Sequence, residues 1–244
     1  MSGRSVVVIP TYNERENILQ MLDAVLSQPC GLDVLIVDDN SPDGTGNLVA
    51  EICAGNARVQ LLRREGLRGL GLSYLDGFKK AIDDGYKLIF EMDADFSHDP
   101  ASLSALFSAL ESHDMVLGSR YCKGRVSVLN WPVHRLIMSM FGGSYVRAIT
   151  GMKYYDPTSG FRGFHSRVLS AIGLDTIRSN GYCFQVEVLY RAHKCGFDIH
   201  EESIVFTERR EGQSKMSRRI VLEAALMPWR LKFGRQHRGG SRVR

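Results

Sequence analysis

Short apolar runs alternate with amphipathic segments along roughly the first half of the chain. The runs are rich in valine, leucine and isoleucine, as in strands buried on both faces, and predict strands at residues 5–9, 33–37, 58–62, 87–91 and 115–117. Between them, apolar residues recur at helical spacing and predict helices at residues 45–53, 71–84 and 100–112. Strands that alternate with helices in this way predict an α/β fold with a mostly parallel central sheet flanked by helices.

A start signal precedes the first helical stripe. Asn13 is followed three residues later by Glu16, which is the pattern of a capping box. We therefore expect Asn13 to cap the helix whose apolar stripe contains Ile18, Leu22 and Val25.

Polar residues cluster at the carboxyl ends of four of the predicted strands. They are residues 10–14 after the first strand, Asp38 and Asp39 after the second, 93–95 after the fourth and 118–120 after the fifth. In open α/β sheets, ligands bind outside the carboxyl ends of the strands. We therefore expect these four segments to meet at one rim and to form a binding site there.

The composition is that of an ordinary folded protein. Of the 244 residues, 44% are hydrophobic and 24% are charged, which excludes disordered, collagen-like and fibrous classes. Five widely spaced cysteines include no CxxC pair, so a disulfide framework or a zinc site is not expected and a reducing compartment is favoured. We expect no signal peptide, and no stretch approaches the roughly 20 apolar residues that cross a bilayer.

The glycine pattern argues against a glycine-rich phosphate cradle. Gly66, Gly69 and Gly71 form a cluster, but they lack the dinucleotide fingerprint spacing and do not follow the first strand. The Walker A pattern is absent from the sequence as well. A nucleotide would therefore have to be held in another way.

Asp93 and Asp95 offer that way. At positions i and i+2 of an extended segment, their side chains point to the same side of the chain. Two adjacent carboxylates repel each other unless a cation lies between them, and hard oxygen ligands suit Mg²⁺ or Mn²⁺ bound to phosphates. The alternative is a pair of solvated turn aspartates, which the neighbouring buried strand and Asp38 and Asp39 make less favourable.

An ordered set of motifs resembles one known family. The motifs are Pro10-Thr-Tyr-Asn-Glu14, Val37-Asp-Asp-Asn-Ser-Pro-Asp-Gly-Thr45, Glu91-Met-Asp-Ala-Asp-Phe-Ser-His98, Gly118-Ser-Arg-Tyr121, Thr158-Ser-Gly-Phe-Arg162 and Gly181-Tyr-Cys-Phe-Gln-Val-Glu187. Together they resemble the inverting GT-A glycosyltransferases, specifically the polyprenol (dolichol) phosphate mannosyltransferases. The likeness covers residues 5 to about 220. Single motifs of this kind occur in many sugar transferases, whereas the ordered set is specific.

The resemblance implies roles for individual residues on the donor side. The residues that it places around the nucleoside of GDP-mannose are Pro10, Tyr12, Glu14, Val37 and Asp39. Those that it places at the metal and the diphosphate are Asp93, Ala94, Asp95, Arg120, Arg209 and Lys215. The catalytic residues that it implies are Asp39, Asp95 and Arg209. Ser97 stands where relatives place a glutamine, and Asp38 is a candidate contact of a sugar hydroxyl.

On the acceptor side, the resemblance implies that Arg120, Arg135 and Ser139 hold a lipid phosphate. Arg135 and Ser139 are four residues apart, so they share one face of a helix. Gln185 or Glu187 is expected to line the same side.

The positive charge is concentrated at the C-terminal end. Residues 209–244 contain 11 Lys or Arg and two acidic residues, a net charge of +9, so the first 208 residues carry −5. We expect a GT-A catalytic domain at residues 1–218, then an amphipathic helix and a basic tail at 219–244. Residues 133–149 are expected to form an amphipathic helix with Trp131 and Tyr145 as anchors at a membrane interface, or else to pack in the core. The tail favours an anionic membrane surface or a nucleic acid.

These observations give one preferred function and two alternatives. The resemblance implies an enzyme that moves mannose from GDP-mannose to a polyprenyl monophosphate, with Mg²⁺ or Mn²⁺. We expect it to lie peripherally on the cytoplasmic face of a membrane, directly or through a membrane-anchoring partner protein. One alternative is a related enzyme that uses a UDP-sugar. The other is a nucleic-acid-binding module, which only the charge supports, so no nucleic acid is expected as a partner.

Overall fold

A seven-stranded sheet forms the centre of the protein. The computed structural model describes residues 3–122, 124–179, 181–207 and 218–234. The strands of the sheet are β1 (Ser5–Thr11), β2 (Asp33–Asp38), β3 (Val59–Arg63), β4 (Leu88–Glu91), β5 (Met115–Ser119), β7 (Arg162–His165) and β8 (Ile199–Ser203). Their order is β3-β2-β1-β4-β7-β5-β8. The five strands predicted from apolar runs are confirmed, with ends that differ by one or two residues.

One strand of the sheet departs from the parallel arrangement. β7 lies between β4 and β5 and runs antiparallel to both. This strand was not predicted, because its sequence, Arg-Gly-Phe-His, contains no apolar run. Since β7 runs in the opposite direction, its first residue, Arg162, lies beside Glu91 at the end of β4. A second, two-stranded parallel sheet pairs β6 (Val128–Leu129) with β9 (Phe206–Thr207).

Helices cover both faces of the main sheet. They are α1 (Ile18–Leu26), α2 (Thr45–Gly55), α3 (Leu70–Asp83), α4 (Leu103–Ala109), α5 (Val133–Thr150), α6 (Ser166–Ala171), α7 (Gly181–Cys195) and α8 (Arg218–Phe233). Alternate residues of β1 belong to different apolar clusters. Val6 and Val8 pack in the cluster that contains α3 and α7, and Val7 and Ile9 in the one that contains α1 and α4. The alternation follows the two-residue period of a strand and places apolar core on both faces.

One predicted helix start is wrong, and another predicted helix is shorter than expected. Asn13 does not cap α1: its φ is +61°, and the helix begins at Ile18 after Asn17. The backbone N–H groups of Asn13 and Glu14 instead donate to the side chains of Ser41, in the loop that follows β2, and Thr45, the first residue of α2. Residues 100–112 divide into a 3₁₀ turn at Pro100–Ser102 and the shorter α4.

Two further features bear on function. α8 packs against α5 and α7, and the Tyr145 hydroxyl donates a 2.8 Å hydrogen bond to the Ala225 carbonyl. The five cysteines are free thiols. None of the helices in the described ranges is both long and apolar enough to cross a membrane.

Candidate active site

A polar cavity opens at the carboxyl ends of β1, β2 and β4. β1 pairs with β2 on one side and β4 on the other, so the chain order reverses here, which is where open α/β sheets bind ligands. The cavity has a volume of about 200 Å³ and is lined by Pro10, Thr11, Tyr12, Glu14, Asp39, Leu70, Ser73, Asp93, Ala94 and Asp95.

Three of the four strand ends that were expected to meet do so in this cavity. The end of β5 does not line it, because the antiparallel β7 separates β5 from β4. Val37, an expected nucleoside contact, is fully buried in the apolar core and does not line the cavity either. Arg209 and Lys215 lie outside the described residues.

Asp38 holds the loop that follows β2. It is 3% exposed, and its carboxylate accepts hydrogen bonds from the Thr11 hydroxyl at 3.1 Å and from the Ser41 N–H and hydroxyl at 3.1 and 2.5 Å. A Cβ on Gly46 would lie 2.8 Å from Asp38 Oδ2. The start of α2 can therefore lie this close to Asp38 only because residue 46 is a glycine. Asp38 therefore has a structural role in holding this loop, and it does not line the cavity.

Asp39 joins the cavity to the loop between β3 and α3. Arg64 forms an ion pair with Asp39 and donates to Asp76 at 2.7 Å, while the Gly69 N–H donates to Asp39 Oδ2 at 2.8 Å. Both charged groups of the Arg64–Asp39 pair are about nine-tenths buried, so water weakens their attraction little. Asp39, an expected catalytic residue, thus fixes one wall of the cavity.

The same loop reaches the rim of the cavity beside Tyr12. The Arg68 guanidinium lies 4.8 Å from the centre of the Tyr12 ring and donates to its hydroxyl. Tyr12 is 40% exposed, so its ring is accessible to a ligand. This contact could not be predicted from the sequence, since 56 residues separate Arg68 from Tyr12.

Asp93 and Asp95 both line the cavity, directly after β4. The Tyr74 hydroxyl donates a 3.1 Å hydrogen bond to Asp93 Oδ1, and the Ser97 N–H donates a 3.0 Å bond to Asp95 Oδ1. Burial, and after it the charge of Asp93, raises the pKa of Tyr74 well above its usual value, which keeps the hydroxyl protonated. Each carboxylate is therefore oriented by a neutral donor rather than by a positive charge in these two contacts.

The donor set fits a divalent cation that also binds a ligand's phosphates. Two carboxylates at one strand end supply hard oxygen atoms. Within the described ranges, no group of three His, Cys, Asp or Glu side chains is arranged to hold a metal. Mg²⁺ in particular is commonly bound through one or two carboxylates with phosphates and water as the other ligands, so a pair is sufficient. Ser97 is buried, and its hydroxyl has no hydrogen-bond partner among the described residues.

A buried charged pair lies next to Asp93. Glu91 and Arg162 are fully buried, and Arg162 Nε lies 3.4 Å from Glu91 Oε1. Arg162 also donates to the carbonyl oxygens of Gln185 at 2.7 Å and Pro157 at 3.0 Å. Burial raises the pKa of Glu91, and the positive charge of Arg162 opposes that rise. The pair ties β4 and β7 to α7.

The expected acceptor residues on α7 differ in their surroundings. Glu187 accepts hydrogen bonds from the Ser179 hydroxyl and from Arg191, and it is 6% exposed. These contacts give Glu187 a structural role. Gln185 is also buried, but its side-chain oxygen has no hydrogen-bond partner among the described residues.

Arg120 is held by Asp156. Its Nε and one terminal nitrogen each donate to a different oxygen of Asp156 at 2.6 Å, and the two side chains are 7% and 1% exposed. Burial alone would raise the pKa of Asp156, but the charge and hydrogen bonds of Arg120 outweigh it and lower that pKa. Arg120 was expected to bind phosphate, but its charge is already neutralised inside the protein.

Arg135 and Ser139 lie together on α5, as expected. The Arg135 guanidinium stacks 4.3 Å from the centre of the Trp131 ring, and the Tyr121 hydroxyl donates a 2.8 Å hydrogen bond to Ser139 Oγ. The Arg120 guanidinium lies 5.6 Å from the same Trp131 ring. The structure therefore brings Arg120, Arg135 and Ser139 into one cluster, with Arg135 at its more accessible side.

An exposed apolar surface, which we call the apolar face, adjoins the cluster of Arg120, Arg135 and Ser139. On α5 it consists of Val133, Ile137, Met138, Met140 and Phe141, which are 43–71% exposed, and on α8 of Leu226, Trp229 and Phe233, which are 43–70% exposed. Of the expected anchors, Trp131 is half-buried under Arg135, and Tyr145 accepts a 3.0 Å hydrogen bond from Trp229 Nε1. Both therefore pack within the protein, while other side chains supply the apolar face.

Comparison with known proteins identifies the family. Residues 6–173 match the family model described as glycosyl transferase family 2. A polyprenol monophosphomannose synthase of Mycolicibacterium smegmatis is 43% identical over 223 residues, which are 91% of this chain and 84% of that protein. An undecaprenyl-phosphate mannosyltransferase of Micrococcus luteus is 41% identical over 223 residues, 91% of each chain. A dolichol-phosphate mannosyltransferase of Pyrococcus furiosus is 33% identical over 89% of this chain and 60% of its own.

Solved structures share the fold at lower identity. Glucosyl-3-phosphoglycerate synthase from Mycobacterium tuberculosis, in complex with Mg²⁺ and UDP, aligns with a TM-score of 0.67 at 17% identity, over 93% of this chain and 79% of its own. The same enzyme with Mn²⁺, UDP-glucose and phosphoglyceric acid gives a TM-score of 0.66 at 16% identity, over 93% and 80% of the two chains. These likenesses confirm the expected GT-A α/β fold. The chain therefore belongs to glycosyl transferase family 2 and, within it, to the polyprenyl-phosphate mannosyltransferases that its motifs resemble.

Proposed function

We propose that the protein transfers mannose from GDP-mannose to the phosphate of a polyprenyl monophosphate. The observation that carries the proposal is that the structure combines three environments: an acidic cavity, the cluster around Arg135, and the apolar face. The cavity contains Asp93 and Asp95, the cluster contains Arg135, and the apolar face adjoins the cluster. A nucleotide sugar, a lipid phosphate and a polyprenyl chain require these three environments. The names of the relatives from M. smegmatis and M. luteus support mannose as the sugar and a polyprenyl phosphate as the acceptor.

On the donor side, the base and ribose would lie between Tyr12, Glu14 and Asp39. Tyr12 offers an exposed ring face, and Glu14 and Asp39 offer carboxylate acceptors for the base or ribose donors. The Arg64 and Gly69 contacts hold Asp39 in place before the ligand arrives, which lowers the ordering cost of binding.

Asp93 and Asp95 would hold a divalent cation, Mg²⁺ or Mn²⁺, together with the donor diphosphate. When bound, such a cation neutralises the charge that develops on the departing diphosphate. The complexes of the structural neighbour with Mg²⁺ and with Mn²⁺ support a divalent ion in this fold. Arg209 and Lys215 would add positive charge to the same diphosphate. Their chain segment begins just after Thr207, whose N–H donates to the Ser97 carbonyl in the loop that carries Asp95.

On the acceptor side, Arg135 and Ser139 would bind the lipid phosphate. Arg135 supplies charge and Ser139 supplies a hydroxyl. Arg120 would support the side chains of the cluster rather than contact the lipid phosphate, because its guanidinium is already paired with Asp156.

The chemistry needs alignment more than it needs a base. A phosphate monoester near neutral pH is already an anion, so its oxygen can attack the anomeric carbon of mannose directly. The new bond joins that oxygen to the anomeric carbon as the bond to GDP breaks, and a single in-line displacement inverts the configuration. The residues of the chain contribute by holding two anions at a productive distance and by stabilising the leaving diphosphate.

We further propose that the protein works at a membrane surface. The apolar face would lie in the headgroup region, which amphipathic helices reach by burying their apolar side. The basic tail, residues 235–244, lies outside the described residues and would add attraction to anionic lipids. The cytoplasmic face is the side that we propose. A membrane-anchoring partner protein is an alternative way to hold the enzyme there.

A donor panel tests the proposed function. Radiolabelled GDP-mannose, UDP-glucose and UDP-GlcNAc are each incubated with a polyprenyl phosphate and with Mg²⁺ or Mn²⁺, and label in the lipid fraction is counted. We expect label from GDP-mannose alone. Label from a UDP-sugar instead would favour the related transferase, and a salt-sensitive shift of nucleic acid without sugar transfer would favour the binding module.

A further inference from the structure

Tyr74 combines a fully buried aromatic ring with a hydroxyl that reaches the active site. It lies on α3 and is 0% exposed, and its ring stacks with Phe78 at 5.7 Å and with Phe184 at 5.9 Å between ring centres. A phenylalanine would make the same ring contacts. The hydroxyl therefore adds nothing to this packing, and burying it costs free energy unless it is hydrogen-bonded.

The partner of that hydroxyl is a carboxylate of the candidate metal site. Tyr74 donates to Asp93 Oδ1 at 3.1 Å, from the side of α3, while Asp93 lines the cavity. The backbone N–H of Asp93 donates to His98 Nδ1 at 3.4 Å, so both the main chain and the side chain of Asp93 are oriented. A carboxylate has acceptor sites for several partners, so a hydrogen bond to one oxygen orients the group and leaves capacity for a cation.

Asp95 shows the same arrangement with a different donor. Its Oδ1 accepts a 3.0 Å hydrogen bond from the Ser97 N–H, which belongs to the backbone and stays in every variant. Asp93 Oδ1 accepts its hydrogen bond instead from a side chain 19 residues away, whose hydroxyl one substitution removes. Partners that orient metal-binding carboxylates commonly change metal affinity when they are lost.

We propose that Tyr74 is a positioning residue of the divalent-metal site, where its hydroxyl holds the Asp93 carboxylate in the orientation that receives the cation. The inference rests on the proposed function, in which Asp93 is a metal ligand. Tyr74 acts through Asp93 and does not itself touch substrate or metal.

Tyr74→Phe tests the inference, because it removes one oxygen atom and keeps the ring. We expect Mn²⁺ to bind this variant about 10–100-fold more weakly than the wild type, measured from the signal of free Mn²⁺ by electron paramagnetic resonance in the presence and absence of GDP. The Mn²⁺ concentration for half-maximal transfer should rise by a similar factor, and saturating Mn²⁺ should restore the rate. A loss of packing alone would lower the rate at every Mn²⁺ concentration without moving that midpoint.

Tyr86→Phe is the matched control. Tyr86 is also buried, and its hydroxyl donates a 2.8 Å hydrogen bond to Asp33 Oδ2. This contact lies at the end of the sheet away from the cavity. This variant should bind Mn²⁺ as the wild type does. Thermal unfolding of both variants checks that they fold.

Asp93→Asn separates the two proposals. If Asp93→Asn removes Mn²⁺ binding while Tyr74→Phe leaves it unchanged, the role of Tyr74 is wrong and the metal site stands. If Asp93→Asn binds Mn²⁺ like the wild type, the proposed metal site itself is wrong.

Discussion

Arg120 and Asp156 form a two-point ion pair inside the protein, with both hydrogen bonds at 2.6 Å. The pair connects the end of β5 to the loop that precedes β7. The same loop is held from β8, because Glu201 accepts hydrogen bonds from the N–H groups of Tyr155 and Asp156 at 2.9 and 3.1 Å. Since Arg120 also lies under Tyr121 and Trp131, this pair supports the cluster proposed to bind the acceptor.

Asp156→Asn should therefore destabilise the whole domain. Removing the charge of one partner leaves Arg120 buried without compensation, which costs about 3–5 kcal/mol of unfolding free energy. Urea unfolding at neutral pH measures this loss. Asp175→Asn is the control, since Asp175 is 86% exposed and its pair with Lys79 lies at the surface. It should change the unfolding free energy by less than about 1 kcal/mol.

The same pair predicts the direction of a pH effect. The pKa of Asp156 is lowered in the folded protein, so its contribution to stability is present above the unfolded pKa of about 3.9 and is lost as pH falls through the folded pKa. The difference in unfolding free energy between wild type and Asp156→Asn should thus narrow as pH falls below about 4. A difference that stays constant from neutral pH to acid would contradict a charged Asp156.

Arg135→Ala should weaken binding of the acceptor, polyprenyl phosphate, and leave the affinity for the donor, GDP-mannose, unchanged. Arg135 stacks on Trp131 beside Ser139, away from the residues that line the donor cavity. We expect KM for polyprenyl phosphate to rise by about tenfold or more, since a charge-assisted hydrogen bond is worth roughly 1.5–3 kcal/mol. Affinity for GDP-mannose, measured by calorimetry, should stay unchanged.

Arg147→Ala is the control for that variant, because Arg147 lies on the same helix and stacks on Tyr155 at 5.0 Å. It should keep the KM values of the wild type for both substrates. An equal loss of donor and acceptor affinity in Arg135→Ala would place Arg135 elsewhere in the mechanism.

Much of the fold was predictable because apolar runs mark buried strands. β1, β2 and β4 are buried along nearly their whole lengths, so valine, leucine and isoleucine dominate them. β7 and β8 were not predicted because their sequences contain no apolar run. β7 contains Arg162, which is buried beside Glu91 and donates to two backbone carbonyls. β8 is a half-buried edge strand with the sequence Ile-His-Glu-Glu-Ser. The start of α1 was misplaced because the N–H groups of the residues before it, Asn13 and Glu14, bond side chains that are distant in sequence.

The site was predictable where one short segment carries the chemistry. Asp93 and Asp95 are two residues apart directly after a buried strand, and this pattern alone predicts that both lie at the rim. The partners of the site residues were not predictable, because Tyr74, Arg64 and Asp156 stand 19, 25 and 36 residues from the residues that they contact. Only the fold brings such pairs together.

Phe141→Glu should weaken binding to membranes. Phe141 is 68% exposed on the α5 part of the apolar face. Inserting a large apolar side chain contributes about 1.5–3 kcal/mol, which a charged side chain forfeits. Vesicle sedimentation should show a clear drop in bound protein. Leu19→Glu, on the exposed side of α1, should bind vesicles like the wild type. Equal sedimentation of Phe141→Glu and wild type would contradict the proposal that the apolar face binds the membrane.

Deleting residues 235–244 should make vesicle binding weaker and less sensitive to salt. The deleted segment contains Arg235, Arg238, Arg242 and Arg244 and no acidic residue. Near an anionic leaflet each such charge contributes on the order of 1 kcal/mol, and salt screens it within a Debye length of about 10 Å. Transfer to a short, soluble polyprenyl phosphate should be spared. Unchanged sedimentation of the shortened protein would mean that the tail does not contact the membrane.

The most direct test of the account is the transfer of label from GDP-[¹⁴C]mannose to a polyprenyl phosphate by wild type, Asp95→Ala and Asp83→Ala. Asp95 lines the cavity, whereas Asp83 lies exposed at the end of α3 and serves as the control. We predict a labelled mannosyl phospholipid from the wild type and from Asp83→Ala, and none from Asp95→Ala or in the presence of EDTA. Full transfer by Asp95→Ala or in EDTA, or no labelled lipid from the wild type, would contradict the account.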